Sequence, residues 1–100
     1  MRPFTFTAEL WRWEAQDAWH FVTVPADVSD EIEGRTANGE RRGFGSVRVQ
    51  ATIGTSTWKT SVFPDKRRAA YVLPVKKDVR SAQGVVAGDR VSVALDVLDG

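Results

Sequence analysis

Segments in which apolar and polar residues alternate recur along the whole chain, and this pattern constrains the fold more than any other feature. In the clearest segment Val47, Val49, Ala51 and Ile53 alternate with polar residues. Successive side chains of a β-strand point to opposite faces, so the alternation is typical of a strand with one buried face. Similar patterns predict strands at residues 4–10, 57–63, 71–75 and 91–97, and an aromatic, β-branched composition predicts another at residues 19–24.

Turns and two short helices are predicted between these strands. The first helix covers residues 25–34, with Pro25 in its first turn or Asp27 as its cap, and Gly34 is expected to end it. The second covers residues 76–83 and ends at a left-handed Gly84. Polar or turn-forming residues predict connections at residues 14–17, 35–42, 54–55 and 64–68.

Six alternating strands within 100 residues favour a barrel over an open sheet, because closure leaves no strand edge exposed. The length leaves room for one hydrophobic core. We therefore expect residues 1–100 to form a single, mainly β domain. Its architecture is predicted to be a small closed or nearly closed six-stranded barrel with two short helices.

The composition disfavours several classes of protein. The chain has no cysteine and one histidine, so it offers neither disulfides nor a cluster of soft metal ligands, and we expect no metal and no cofactor. No apolar run approaches the length of a membrane span, and residues 1–13 lack the continuous apolar region of a signal peptide. We expect a cytoplasmic protein with no membrane partner, present as a monomer or a weak dimer.

The net charge of +1 conceals an uneven distribution. Residues 1–33 contain two arginines and seven carboxylates, whereas residues 34–90 contain twelve lysines and arginines and four carboxylates. One interpretation is that opposite charges meet across the fold in exposed pairs, each of little energetic value. The other is that a basic surface attracts an anionic partner.

The start of the second predicted helix carries the most informative basic residues. Lysines at a helix start oppose the helix dipole and favour a nearby anion, and Lys76 and Arg80 lie four residues apart on one helix face. Backbone N–H groups there would add donors for a phosphate or carboxylate. We predict a binding module for a small anion or a protein partner. Its candidate residues are Lys76 and Arg80, followed by Trp13, Arg48, Lys59 and Tyr71.

Nucleophilic catalysis has little support, so we expect no catalytic residues. A serine triad would have to use His20, which lies in an apolar strand, and no serine occupies a G-x-S-x-G elbow. An unrecognised hydrolase remains a second alternative. Whether the domain is an enzyme is open, with a binding function favoured.

Aromatic and basic residues that occur together suggest another partner. Trp58, Lys59, Tyr71 and Arg48 would form a stacking surface for single-stranded nucleic acid if they shared one exposed face. Aromatic residues in a small barrel more often fill its core. The hypothesis therefore requires two or three aromatics exposed on one sheet face and flanked by arginines.

The order of motifs along the chain resembles one family. The matching residues are Trp19-His20-Phe21-Val22, Pro25, Gly54, Trp58, Leu73-Pro74-Val75-Lys76, Val79-Arg80, Gly84, Gly88-Asp89, Val91 and Val93. This pattern resembles the bacterial domain of unknown function "nineteen-oh-five" over nearly the whole chain. The resemblance implies a small β-barrel, found alone or fused to a bacteriocin-protection (YdeI/OmpD-associated) domain. It implies no established activity and no catalytic residues.

A shorter stretch is similar to a second group. Leu73-Pro74, Val79-Arg80 and the run from Gly84 to Val91 are similar to the swapped-hairpin DNA-binding domains of transition-state regulators and antitoxins. Those domains comprise about fifty residues and form only as dimers. Here an aromatic-rich stretch precedes the motif and is long enough to close a monomeric barrel. A DNA-binding regulator is therefore the alternative function.

Overall fold

The computed structural model describes residues 3–13, 19–36 and 45–98. Six strands and two helices occur in these ranges, and all eight predicted elements are present. In chain order they are β1 (Phe4–Arg12), β2 (His20–Thr23), α1 (Ala26–Thr36), β3 (Val47–Ile53), β4 (Ser56–Asp65), β5 (Ala70–Pro74), α2 (Lys77–Gln83) and β6 (Arg90–Val97). Neither helix is long and apolar enough to cross a membrane, within the part of the chain described.

The strands close into a barrel in the order β1-β2-β5-β4-β3-β6. Every neighbouring pair is antiparallel, including the closing contact between β1 and β6. Each strand thus has a hydrogen-bonded neighbour on both sides, which removes exposed sheet edges. The predicted fold, a closed six-stranded barrel with two helices, is confirmed.

The barrel interior is filled by the residues of one parity on each strand. On β3 all four residues of the predicted apolar face, from Val47 to Ile53, are buried. Leu10, Val22 and Leu73 meet in register on three adjacent strands and are fully buried. Since aliphatic side chains occupy this space, the interior is a packed core.

Helix α1 is joined to the barrel through one buried hydroxyl. Ser29 Oγ donates a hydrogen bond to the carbonyl of Val24 at 3.1 Å and accepts one from the N–H of Tyr71 at 3.0 Å. Ile32 of the same helix is fully buried in the core. These contacts hold α1 against β5.

The predicted end of α1 is wrong. The helix continues through Gly34 to Thr36, and a side chain at residue 34 would meet open space. Glycine inside an exposed helix costs only about 1 kcal/mol relative to alanine, which packing can offset. Residues 35–36 of the predicted loop are therefore helical. Residues 37–42 of that loop, and the predicted turn at residues 14–17, lie outside the described residues.

Helix α2 ends as predicted. Gly84 has φ 66° and ψ 35°, and its N–H points to the carbonyls of the last turn. Beside it, Gln83 Nε2 donates to Thr55 Oγ1 at 3.1 Å and to Ser56 Oγ at 2.9 Å. The end of α2 is thus attached to the turn between β3 and β4.

Strand β4 extends further than its sequence suggested. Pro64 and Asp65, predicted to begin a turn, are still paired with Tyr71 and Ala70 of β5. Asp65 Oδ1 then accepts the backbone N–H of Arg67 at 2.9 Å. An exposed proline is tolerated in a strand where no ladder hydrogen bond is required of its nitrogen. The turn itself starts after Asp65.

Candidate functional site

A cleft of about 390 Å³ opens where the chain leaves β5 and enters α2. Within the described residues, β4 pairs with β5 only over residues 63–65, although β4 already begins at Ser56. The earlier part of β4 therefore diverges from β5. Trp58 and Thr60 of β4 form one wall of the cleft, and Pro74 and Val75 form the other.

Four basic residues from the described part of the chain line this cleft. Lys59 comes from β4, whereas Lys76, Lys77 and Arg80 come from the junction between β5 and α2. The three lysines are exposed and Arg80 is half-buried. Among the described residues that line the cleft, none is a carboxylate. The cleft therefore concentrates positive charge, with Asp78 the nearest carboxylate in sequence.

Arg80 is held in place by the fold. Its Nε donates to the carbonyl of Val75 at 3.2 Å, and its backbone N–H donates to the carbonyl of Lys76 at 3.1 Å. Arg80 therefore has a structural role, since it links α2 to the end of β5. The same bond restricts the planar guanidinium of Arg80, which lines the cleft.

The start of α2 contributes less positive potential to this site than the sequence suggested. The helix has seven residues, and the N–H groups of Val79 and Arg80 both donate to the carbonyl of Lys76 at 3.1 Å. The macrodipole effect depends on aligned peptide units, so a short helix contributes little. The four basic side chains carry the positive charge of the cleft.

The predicted site residues lie in different parts of the structure. Lys76, Arg80 and Lys59 line one cleft. Trp13, Arg48 and Tyr71 do not line it: Trp13 is exposed at the end of β1, and Arg48 is exposed on β3 opposite Ser61. Tyr71 is only 4% exposed and belongs to the core, and it lies outside this cleft.

Two further residues that line the cleft, Trp19 and Lys77, were not predicted from the sequence. Lys77 adjoins Lys76 and was a simple extension of the same basic run. Trp19 lies more than fifty residues away in sequence, and only the pairing of β2 with β5 brings it near. No local sequence pattern marks that proximity.

Aromatic side chains cover the outer face of β1 and β2. Trp11, Trp19 and Trp13 surround Phe21, with ring centroids 5.0, 5.9 and 6.3 Å from its ring. The guanidinium of Arg68 lies 3.8 Å from the centre of the Trp11 ring. Trp13 is 45% exposed and Trp19 is 48% exposed. We call these four aromatic residues the outer aromatic surface.

The outer aromatic surface differs from the stacking surface predicted from the sequence. Trp58 is half-buried, packs against the core and lines the basic cleft, and Tyr71 is buried. Among the described residues, the exposed aromatics are Trp13, Trp19 and, on β4, Phe63 at 41%. The guanidinium of Arg68 lies over Trp11, which is not one of these three. A stacking surface for nucleic acid thus stays a prediction, and the aromatics available for it differ from those first proposed.

His20 lines the cleft, but its surroundings do not form a catalytic triad. Neither a serine nor a carboxylate is among the described residues lining the cleft with it. The described part of the chain also contains no group of three or more His, Asp or Glu residues that would hold a metal ion. The hydrolase alternative gains no support from this geometry.

Acidic residues lie at the other end of β5. A second cavity of about 200 Å³ is bordered by Asp30 and Glu33 of α1 and by Ala70 and Tyr71 of β5. At roughly 3.3 Å per residue, the three residue steps from Tyr71 to Pro74 separate this cavity from the cleft by about 10 Å. The carboxylates of α1 therefore border a different cavity from Lys76 and Lys77, and Lys66 borders it with them.

The segment that is similar to swapped-hairpin domains contributes two strands, β5 and β6, to the barrel. β5 pairs with β2 and β4, and β6 pairs with β1 and β3, all within one chain. Neither strand requires a second copy of the chain for its hydrogen bonds. The DNA-binding regulator therefore stays an untested prediction without a feature of the fold in its favour.

A closed six-stranded barrel with a basic cleft beside a short helix defines a small β-barrel domain with a ligand-sized surface site. The model of the family described as Domain of unknown function (DUF1905) matches residues 6–95, and the chain belongs to this family. The family resemblance predicted from the sequence is confirmed. A comparison with curated proteins finds no match.

Proposed function

We propose that this domain is a binding module for a phosphate-type anion, held in the cleft by Lys59, Lys76, Lys77 and Arg80. The observation that carries the proposal is the convergence of these four basic side chains on one cleft, without a carboxylate among the described lining residues. Neighbouring like charges repel each other and raise the free energy of the empty site. A bound anion replaces that repulsion with attraction.

The chemistry of the four side chains suits a multiply charged oxyanion. Lysine ammonium groups donate in several directions, and a guanidinium donates two parallel hydrogen bonds to phosphate or carboxylate oxygens. Because Arg80 is already fixed by its bond to Val75, it loses little conformational freedom on binding. The three exposed lysines adjust around it.

The size of the cleft favours a ligand with more than one group. A volume of about 390 Å³ lies near the lower end of the range for small-molecule sites, roughly 300–1,000 Å³, and exceeds what one inorganic phosphate fills. Trp58, Pro74 and Val75 provide apolar walls. We infer that an apolar or aromatic part of the ligand contacts these walls while its anionic part contacts the basic residues.

Thermal unfolding in the presence of phosphate and pyrophosphate tests the proposal. A ligand present at about 100 times its Kd adds roughly 2.7 kcal/mol of stability, which raises the Tm of a domain of this size by about 10 °C. We expect pyrophosphate to raise the Tm of the native protein more than sodium chloride of equal ionic strength does. The double variant Lys76→Ala/Arg80→Ala is expected to lose this excess.

A matched control is Lys66→Ala with Arg67→Ala, which removes two exposed charges from the turn between β4 and β5. This variant keeps the response if binding is localised in the cleft. No excess shift for the native protein, or an equal loss in the control variant, would show that the basic residues of the cleft do not form an anion site.

A further inference from the structure

We propose that the anion bound by this domain is the backbone of a single-stranded nucleic acid, whose bases stack on Trp19 and Trp13. The inference rests on the proposed anion site and specifies its ligand. Phosphates would lie in the basic cleft, and successive bases would cover the outer aromatic surface. Proteins that bind single strands combine these two features, a positive groove and aromatic side chains for stacking.

Trp19 connects the two features. It lines the cleft together with Lys76, and its ring also stacks on Phe21 of the outer aromatic surface, with centroids 5.9 Å apart and planes 25° apart. A base stacked on Trp19 would therefore have its phosphate within reach of the lysines. The basic cleft and the aromatic surface form one continuous site.

The aromatic surface extends beyond the area that one base can cover. The N–H of Trp13 donates to the carbonyl of Trp19 at 3.0 Å, so the two tryptophans lie opposite each other where β1 ends and β2 begins. Both rings contact Phe21 on one side and leave nearly half of their surface to solvent. Their positions are supported from below, which lowers the entropic cost of stacking a base on each.

The positive charge of the cleft favours a single-stranded nucleic acid over a protein as the ligand. The central part of a protein interface is depleted of charged residues, whereas here three lysines line the cleft together with the exposed Trp19. Duplex DNA would offer phosphates but keep its bases paired and stacked, and so would leave Trp13 and Trp19 unused. A single strand offers phosphates and free base faces together.

Fluorescence anisotropy with a labelled oligothymidine of about 12 nucleotides tests the inference, because such a strand matches the site size of small barrels. We expect binding at low salt, and a loss of affinity of about fivefold or more in Trp13→Ala, as for loss of one stacked base. Val86→Ala removes an exposed apolar side chain from the loop before β6 and should leave binding unchanged.

The salt dependence of the same titration reports on the phosphates. Each phosphate contact contributes about −0.7 to the slope of log K against log salt for a single strand. The variant Lys76→Ala/Arg80→Ala should reduce the slope by about 1.4. Trp13→Ala should reduce the affinity and leave the slope of log K against log salt unchanged. Circular dichroism serves as the control that each variant is folded.

Different failures separate this inference from the anion site. Equal affinity for the strand in the native protein and Trp13→Ala overturns stacking, while a retained pyrophosphate response leaves the anion site intact. Mononucleotide binding as tight as that of the oligonucleotide also overturns the strand as ligand. A dimer that Trp13→Ala converts to a monomer would assign the aromatic surface to a second copy of the chain and overturn the inference.

Discussion

At the residue scale, burial decides the role of a side chain more than its chemical type. Tyr71 and Trp13 are both aromatic and both were candidates for the site. Tyr71 of β5 is buried and belongs to the core. Trp13, which comes directly after β1, remains exposed. Ser29 is a polar residue that is nevertheless only 5% exposed. Its burial is compensated because its hydroxyl donates to the carbonyl of Val24 and accepts from the N–H of Tyr71.

Replacing Ser29 with alanine should destabilise the protein by about 1–3 kcal/mol, the cost of removing a partner from buried polar groups. The carbonyl of Val24 and the N–H of Tyr71 would lose the hydroxyl that now bridges them. Urea unfolding measures the change in the free energy of unfolding. Ser81→Ala, at an exposed position of α2, is the matched control and should change it by less than about 0.5 kcal/mol. Equal effects of the two substitutions would contradict this account.

At the scale of single elements, two glycines in open space have opposite conformational roles. Neither Gly34 nor Gly84 has an atom within 4 Å of the position a Cβ would take. Gly34 lies inside α1, where helical dihedral angles suit any L-residue. Gly84 adopts φ 66° at the end of α2, a left-handed conformation that disfavours a side chain.

We expect Gly84→Ala to lower the free energy of unfolding by about 1–2 kcal/mol and Gly34→Ala to raise it by about 0.5–1 kcal/mol. Since neither substitution causes a steric clash, the difference isolates backbone conformation. Chemical denaturation of the two variants in parallel provides the measurement. The same sign for both would mean that the backbone angles do not control these positions.

At the scale of the whole molecule, closure of the barrel determines how the chain meets other chains. The pairing of β1 with β6 over residues 4–9 joins the two ends of the described fold. Every strand of the described barrel has a hydrogen-bonded neighbour on each side, although β4 pairs with β5 only over residues 63–65. The resemblance of residues 73–91 to a swapped hairpin therefore reflects local structure, with β5 and β6 both completed by strands of the same chain.

Sedimentation velocity should therefore show a monomer over a wide range of protein concentration. The closed hydrogen bonding of the barrel favours a monomer over a swapped dimer, because a swapped dimer needs strands that a second copy completes. A stable dimer that also retards duplex DNA in a salt-dependent manner would instead support the swapped-hairpin alternative.

Alternation, turn residues and a left-handed glycine act over a few neighbouring positions, so the strands, both helices and the barrel could be predicted from the sequence. Charge also marked Lys59, Lys76 and Arg80 as candidates. The folded structure was needed to show that these three share a cleft with Trp19 and that Arg48 and Tyr71 do not. The physical reason is that alternation reveals on which side of a strand a residue lies, whereas strand pairing and the divergence of β4 from β5 decide what lies beside it.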